Sequence, residues 1–233
     1  MEISMLIVAM VAAARKYRLI ITMPEGMSIE RRTLMQYLGA EIIITPDHLG
    51  MCGAIQKAEE IIRENPNAFM PQQFNNQANV QAHIEHTGPE IWDATDGQVD
   101  AFVAGVGTGG TLMGVGSYLK SCNPHVKIIA VEPDSSSVMS GCAPGRHGIQ
   151  GIGAGFIPEI MDMSLVDDII TVSDKDACEM ARKLATEEGI LCGISGGANA
   201  FAAAEIASRM GGNIVTVLPD TGERYLSTGL FMR

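Results

Sequence analysis

Residues 105–111, Gly-Val-Gly-Thr-Gly-Gly-Thr, carry the densest chemical signal in the sequence. They follow an apolar run at 99–104 and open a stretch with helical periodicity, so the turn delivers several backbone N–H groups to the start of a helix. Glycine permits the tight turn and the close approach of a ligand, and a helix N-terminus adds partial positive charge. This is the chemistry of an anion site. Thr108 and Thr111 add hydroxyl donors, which suits a compact phosphate monoester. The same run satisfies G-x-G-x-x-G through Gly105, Gly107 and Gly110, and Glu132 ends the next expected strand about where a dinucleotide-binding fold holds a ribose. A nicotinamide-binding reading therefore stands beside the phosphate reading. Against it is the position of the unit late in the chain, after a separate α/β lobe.

Three further loops bear polar or glycine-rich chemistry. At 193–198 (Gly-Ile-Ser-Gly-Gly-Ala) a strand is expected to end and a helix to begin, with the Ser195 hydroxyl at the junction, where it serves either a ligand or the helix as its cap. Residues 150–156 (Gln-Gly-Ile-Gly-Ala-Gly-Phe) let the backbone approach a ligand closely. Residues 219–227 follow the last expected strand and bring polar groups to the carboxyl edge, where open α/β sheets bind ligands. His83 and His86 have a spacing compatible with one helical face, yet only Glu85 is near to support a metal, so a solvated helix is expected there. No metal site is expected. The five cysteines are scattered and never spaced C-x-x-C, which suggests neither a disulfide framework nor zinc and fits a reducing cytoplasm.

The elements that must position these loops alternate between strand and helix, the pattern of parallel sheets covered by helices. Helices are expected over 6–17, 28–38 (with Ser28 as N-cap), 53–64, 80–95, 110–120, 173–188 and 196–210. Strands are expected over 18–23, 41–45, 99–104, 127–132, 168–172, 190–194 and 214–218, with a long irregular segment at 133–158. The amide-rich, nearly uncharged stretch 71–79 reads as a crossing between lobes. Two open α/β lobes follow, a smaller one at 1–75 and a larger one at 76–233.

With 46% hydrophobic and 18% charged residues, the 233-residue chain can bury a sizeable core. A net charge of −11 leaves no basic footprint for nucleic acid or an anionic membrane surface. The apolar run at 6–11 is too short to span a bilayer, and its positive charges, Arg15, Lys16 and Arg18, follow it where a signal peptide would have them in front.

Taken together, residues 23–32 (Met-Pro-Glu-Gly-Met-Ser-Ile-Glu-Arg-Arg), 72–74, 87–92 (Thr-Gly-Pro-Glu-Ile-Trp), 105–111, 131–133, 149–156, 193–195 and 222–227 (Gly-Glu-Arg-Tyr-Leu-Ser) resemble the cysteine synthase, or O-acetylserine sulfhydrylase, family. The likeness runs from Leu6 onward. It implies a tryptophan synthase β-like fold, PLP fold type II, and replacement of the β-acetoxy group of O-acetyl-L-serine by sulfide to give L-cysteine and acetate. By matching positions, Gly107, Thr108, Gly109, Gly110 and Thr111 would hold the phosphate of pyridoxal 5'-phosphate (PLP) and Ser195 would meet its pyridine nitrogen. Gln73 would contact the substrate carboxylate, and Gly151 would line the pocket near the substrate amine. The resemblance also implies a homodimer and binding of the C-terminal tail of serine acetyltransferase. Cystathionine β-synthase shares the cofactor loops and is the nearest alternative activity.

Two departures from the family pattern stand out. Gly196 replaces the second serine of the commoner form. The family's lysine-bearing segment, S-x-K-D-R, would lie upstream of Met1, and its substrate loop, S-G-N-T-G, would align with residues 1–5. None of Lys16, Lys57, Lys120, Lys127, Lys175 and Lys183 stands in a matching context. In the family that lysine attaches the cofactor and moves a proton. The sequence thus reads as an N-terminally truncated member with no catalytic residue of its own, expected to be inactive as an isolated chain. A non-catalytic paralogue that binds a partner through the retained cleft is the other expectation.

Overall fold

The structure, a computed structural model, describes residues 2–232. The chain forms two units, residues 1–72 with 222–233, and residues 73–221. The first unit is built on strands β1 (Ile20–Pro24) and β2 (Glu41–Thr45), paired in parallel, with helices α1 (Glu2–Arg15), α2 (Ile29–Tyr37) and α3 (Gly50–Glu64). Ala9, Ile21, Met23, Met27, Met35 and Ala40 form its core. Sequence reasoning assigned 222–233 to the larger lobe, but the structure groups these residues with the first unit. Tyr225 and Leu230 are buried there, and the Arg31 guanidinium lies 4.3 Å from the centroid of the Tyr225 ring. Glu30 accepts from both the N–H and the hydroxyl of Ser227. The segment 219–227 therefore divides: its 3-10 turn, Gly222–Thr228, is engaged by α2. Ser28 precedes α2 without capping it through its side chain; its hydroxyl accepts from Arg31 at 2.8 Å instead.

The second unit holds a four-stranded parallel sheet. Its strands are β3 (Ala101–Gly105), β4 (Lys127–Pro133), β5 (Asp168–Val172) and β6 (Ile214–Thr216), in the order β5-β4-β3-β6. β3 and β4 are apolar along nearly their whole length because both faces are covered, as parallel strands require. Phe102, Leu112, Val115, Leu119, Val126, Ile128 and Ala130 fill the core between this sheet and helix α6 (Gly110–Cys122). Helices α7 (Asp174–Glu187) and α8 (Ile194–Met210) pack on each other, and α8 also lies against β3 and β6.

From β3 the chain moves outward through β4 to β5, then returns to the other side of β3 as β6. The order of strands thus reverses at β3, and the loop leaving its carboxyl end sits at the switch point, where open α/β sheets form their ligand crevice. The strand expected at 190–194 reduces to a single antiparallel bridge between Cys192 and Thr221. Ile190 and Leu191 are partly exposed, and α8 already begins at Ile194. The helix expected at 80–95 is α4 (Ala78–Ala82) and α5 (Gly88–Ala94) joined by a π-helical turn, His83–Thr87. No described helix is long and apolar enough to cross a membrane.

Candidate active site

The turn at 105–111 lies between β3 and α6 as its composition requires. Gly109 takes φ +90°, a conformation in which a side chain is strained, and a Cβ there would meet Met161 Sδ at 2.5 Å. The turn is buried, yet the amides of Gly107, Thr108 and Gly109 have no acceptor among the described residues. Buried N–H groups are almost always paired, so three in succession at the N-terminus of a 13-residue helix mark a place for an anion. The threonine hydroxyls flank them. Thr108 Oγ1 accepts from the Asn79 side-chain amide at 2.9 Å, and Thr111 Oγ1 is 3.1 Å from His83 Nε2.

His83 and His86 do not share a metal site. The two nitrogens of His83 meet threonine hydroxyls, Nε2 with Thr111 and Nδ1 with Thr87 at 2.9 Å, while His86 is exposed. Burial pushes the His83 imidazole below its ordinary pKa, favouring the neutral ring. No group of His, Cys, Asp or Glu among the described residues could hold a metal ion.

Ser195 opens α8 at the far side of the turn. It is buried, and its hydroxyl has no hydrogen-bond partner among the described residues. One turn further along the helix, Asn199 is 1% exposed; its Oδ1 accepts from Gly105 N–H at 2.8 Å and its Nδ2 donates to the Val217 carbonyl at 2.8 Å. Through Asn199, then, the helix that carries Ser195 is fastened to the first residue of the glycine turn and to the end of β6. Gly151 comes to the same place from a third segment. Its φ is +104°, and a Cβ there would lie 3.5 Å from Ser195 Oγ. That loop is anchored by Gly153 N–H donating to the Val106 carbonyl at 3.0 Å, and by His147 Nε2 at 2.9 Å from the Gly153 carbonyl.

Gln73 reaches the site through its backbone, since its carbonyl accepts from Asn79 at 3.0 Å. Next to it, Phe74 packs edge-on against Phe156 of the 150–156 loop, with ring centroids 5.0 Å apart. The structure thus brings Gly107, Thr108, Gly109, Gly110, Thr111, Gly151 and Ser195 into one connected cluster, with Gln73 tied to it through Asn79. Glu132 is not available to a ribose. Its carboxylate is buried and accepts from the N–H of Met139 and from the N–H and hydroxyl of Ser140, which removes the residue on which the dinucleotide reading depends.

Glycine at 196 also has a physical reason. A Cβ there would stand 3.0 Å from Cys192 Cβ and 3.2 Å from its Sγ, so a serine would fit only if Cys192 shifted by a few tenths of an ångström. Burial, with Asp220 adding to it, holds the Cys192 thiol above its ordinary pKa and therefore protonated. Of the lysines in this unit, Lys120 and Lys127 pair with Asp167, Lys175 with Glu179, and Lys183 is exposed on α7.

Residues 6–220 match the family described as pyridoxal-phosphate dependent enzyme. The chain is 53% identical over 235 residues to cysteine synthase A of Escherichia coli (strain K12), an alignment that covers 96% of this chain and 73% of that protein. The chain belongs to the cysteine synthase family of pyridoxal-phosphate dependent enzymes. The crystal structure of a cysteine synthase from Entamoeba histolytica superposes with a TM-score of 0.91 at 45% identity, covering 98% of this chain and 69% of that one. An O-acetylserine dependent cystathionine beta-synthase from Helicobacter pylori also superposes with a TM-score of 0.91, at 39% identity over 97% of this chain and 74% of that one. These relatives share the fold-type II architecture.

The connected cluster fits PLP. The unpaired amides at 107–109 offer the donors a phosphate needs, Gly151 leaves the space beside Ser195 open, and Ser195 presents an unengaged hydroxyl.

Proposed function

We propose that the second unit holds PLP and that the chain serves cysteine synthesis from O-acetyl-L-serine and sulfide. The observation that carries the reading is the row of three buried amides without acceptors, flanked by two threonine hydroxyls, in a cluster that also holds an unengaged serine. In this reading the amides of Gly107, Thr108 and Gly109, with the Thr108 and Thr111 hydroxyls and Gly110 at the helix start, bind the phosphate. Ser195 orients the ring at its nitrogen. A neutral hydroxyl does not impose a full positive charge there as a carboxylate would, so the ring is a moderate electron sink suited to loss of a β-substituent. A PLP held by these residues would supply an electron sink for loss of the β-acetoxy group of an amino-acid substrate. Gln73 orients the substrate carboxylate, and Gly151 leaves room for the amine.

Titrating PLP into the purified chain, with pyridoxal as the comparison ligand, tests the phosphate site; the Ser195→Ala variant tests the ring contact. PLP should bind more tightly than pyridoxal, and O-acetylserine should perturb the bound cofactor's spectrum. Equal affinity for PLP and pyridoxal would remove the basis for the assignment. The Helicobacter pylori relative, an O-acetylserine dependent cystathionine beta-synthase, keeps the homocysteine reaction as the second reading; O-acetylserine is common to both, so sulfide against homocysteine as the second substrate separates the two.

The assembly we propose is a homodimer, checked by sedimentation. A peptide with the sequence of a serine acetyltransferase C-terminus is the partner we would titrate against the chain. The five free cysteines support a cytoplasmic setting, which fractionation tests.

A further inference from the structure

Asn79 reaches two acceptors with a single atom. Its Nδ2 lies 3.0 Å from the Gln73 carbonyl oxygen and 2.9 Å from Thr108 Oγ1. A main-chain carbonyl can only accept, so the shared atom must be the NH2 group, and the orientation of the amide follows from its partners. Both amide protons are then engaged, and Thr108 Oγ1 is the acceptor in its contact with Asn79. The Gly110 N–H points at the same oxygen from 3.5 Å. A hydroxyl has two lone pairs and one proton. With both lone pairs facing donors from its own protein, the Thr108 hydroxyl has only its proton left to offer, in the remaining tetrahedral direction. The neighbouring glycine is part of the same arrangement, because a Cβ on Gly110 would stand 2.2 Å from Asn79 Oδ1.

We propose that Asn79 is a positioning residue that holds the Thr108 hydroxyl as a donor toward the cofactor phosphate and ties it to the Gln73 segment. This rests on the reading of the glycine turn as the phosphate site. Asn79 acts by deciding which way a proton points. It also makes the phosphate end of the site and the backbone of a substrate-side residue move together, since one amide group holds both.

The test measures the preference for PLP over pyridoxal in the full chain, read from the fluorescence of the chain's one tryptophan, Trp92. This ratio isolates the phosphate contribution and cancels any loosening that weakens both ligands alike. Thr108→Val removes the donor and should lower the preference roughly tenfold, the worth of one hydrogen bond to a charged group. Asn79→Ala should lower it by a similar factor, and the double variant should fall no further than either single one, because the same donated proton is lost in each.

Asn79→Asp should fall below all of these. Its carboxylate takes the Thr108 proton for itself and adds negative charge beside the phosphate. It also carries the test if Asn79→Ala does not fold. Asn79→Ala or Asn79→Asp keeping the wild-type preference, or single effects that multiply in the double variant, would overturn the role of Asn79 while leaving the phosphate site standing. A wild-type chain that binds PLP and pyridoxal equally would instead overturn the phosphate reading itself.

Discussion

Replacing Asn199 offers the sharpest test of how the site is held together. The side chain is 1% exposed and makes two bonds across the fold, accepting from Gly105 N–H and donating to the Val217 carbonyl, both at 2.8 Å. Asn199→Ala leaves a buried donor and a buried acceptor without partners, at about 1–3 kcal/mol each, so a total of about 2–6 kcal/mol is expected. For a chain of this size that corresponds to a fall in Tm of about 4–24 °C, followed by circular dichroism. Asn199→Asp discriminates further. The carboxylate can still accept from Gly105, but it sets a second oxygen against the Val217 carbonyl, so the charged form is disfavoured and the folded-state pKa of the new group rises above its unfolded value. An acid with a raised folded pKa binds protons in the native state before it does so in the unfolded state. The loss in Asn199→Asp, measured against wild type at each pH, should therefore be largest near neutrality and shrink as pH falls toward the unfolded value of about 3.9. An Asn199→Ala variant melting within about 2 °C of wild type, or an Asn199→Asp deficit independent of pH, would refute the idea that this amide fastens α8 to the turn.

Gly151→Ala puts a methyl where φ is +104° and 3.5 Å from Ser195 Oγ; it should cost about 1–2 kcal/mol of backbone strain and weaken PLP binding, read by denaturant titration and ligand titration together. The pKa of His83 is depressed by burial, so the unfolded chain takes up its proton first. The stability from His83 is complete above its unfolded value of about 6.5 and is lost as pH falls through the folded value. His83→Gln, which keeps a hydrogen-bonding group toward Thr111 but does not titrate, should show a shallower fall in denaturation midpoint on acidification than wild type. Burial opposes the charged form of Asp167, but Lys120, the Ile128 N–H and Lys127 outweigh it and hold its carboxyl below the ordinary range. Asp167→Asn should therefore destabilise the chain by about 1–3 kcal/mol near neutrality, an effect that narrows as pH falls and the wild-type carboxylate is protonated.

What the sequence revealed and what it hid follow from the range of each interaction. The turn at 105–111 was legible because its chemistry is local: consecutive glycines between an apolar run and a helix can be read from neighbours alone. Ser195 and Gly151 were legible only as loop residues of suggestive type, and their proximity depends on Asn199 and Gly153, whose bonds join segments far apart in sequence. The family resemblance supplied that link where spacing could not. Asn79 was passed over for a physical reason. It sits in an amide-rich stretch whose composition reads as a crossing, and nothing in composition separates an asparagine that faces water from one whose amide holds two acceptors. A signal was present in the periodicity: Asn79, His83 and Thr87 recur every fourth residue and so share one helical face, the face that meets Thr108 and Thr111. His86, three residues on, is exposed instead.

The same contrast explains why the site uses amides and hydroxyls. A phosphate bound at the switch point of this sheet, as proposed, would receive the N-terminal charge of α6, in a chain whose net charge is −11. What it needs from the surrounding side chains is direction. Carboxamides serve this purpose because one end only donates and the other only accepts, so a buried asparagine with fixed partners transmits polarity to whatever it touches. Asn79 does so for Thr108, and Asn199 does so for Gly105. On the proposed reading, Thr108 would keep its donor role only while the Asn79 amide behind it keeps its orientation. Substitutions at these two positions should thus disturb cofactor binding without touching a ligand, whereas equally buried apolar residues such as Leu112 should alter stability alone.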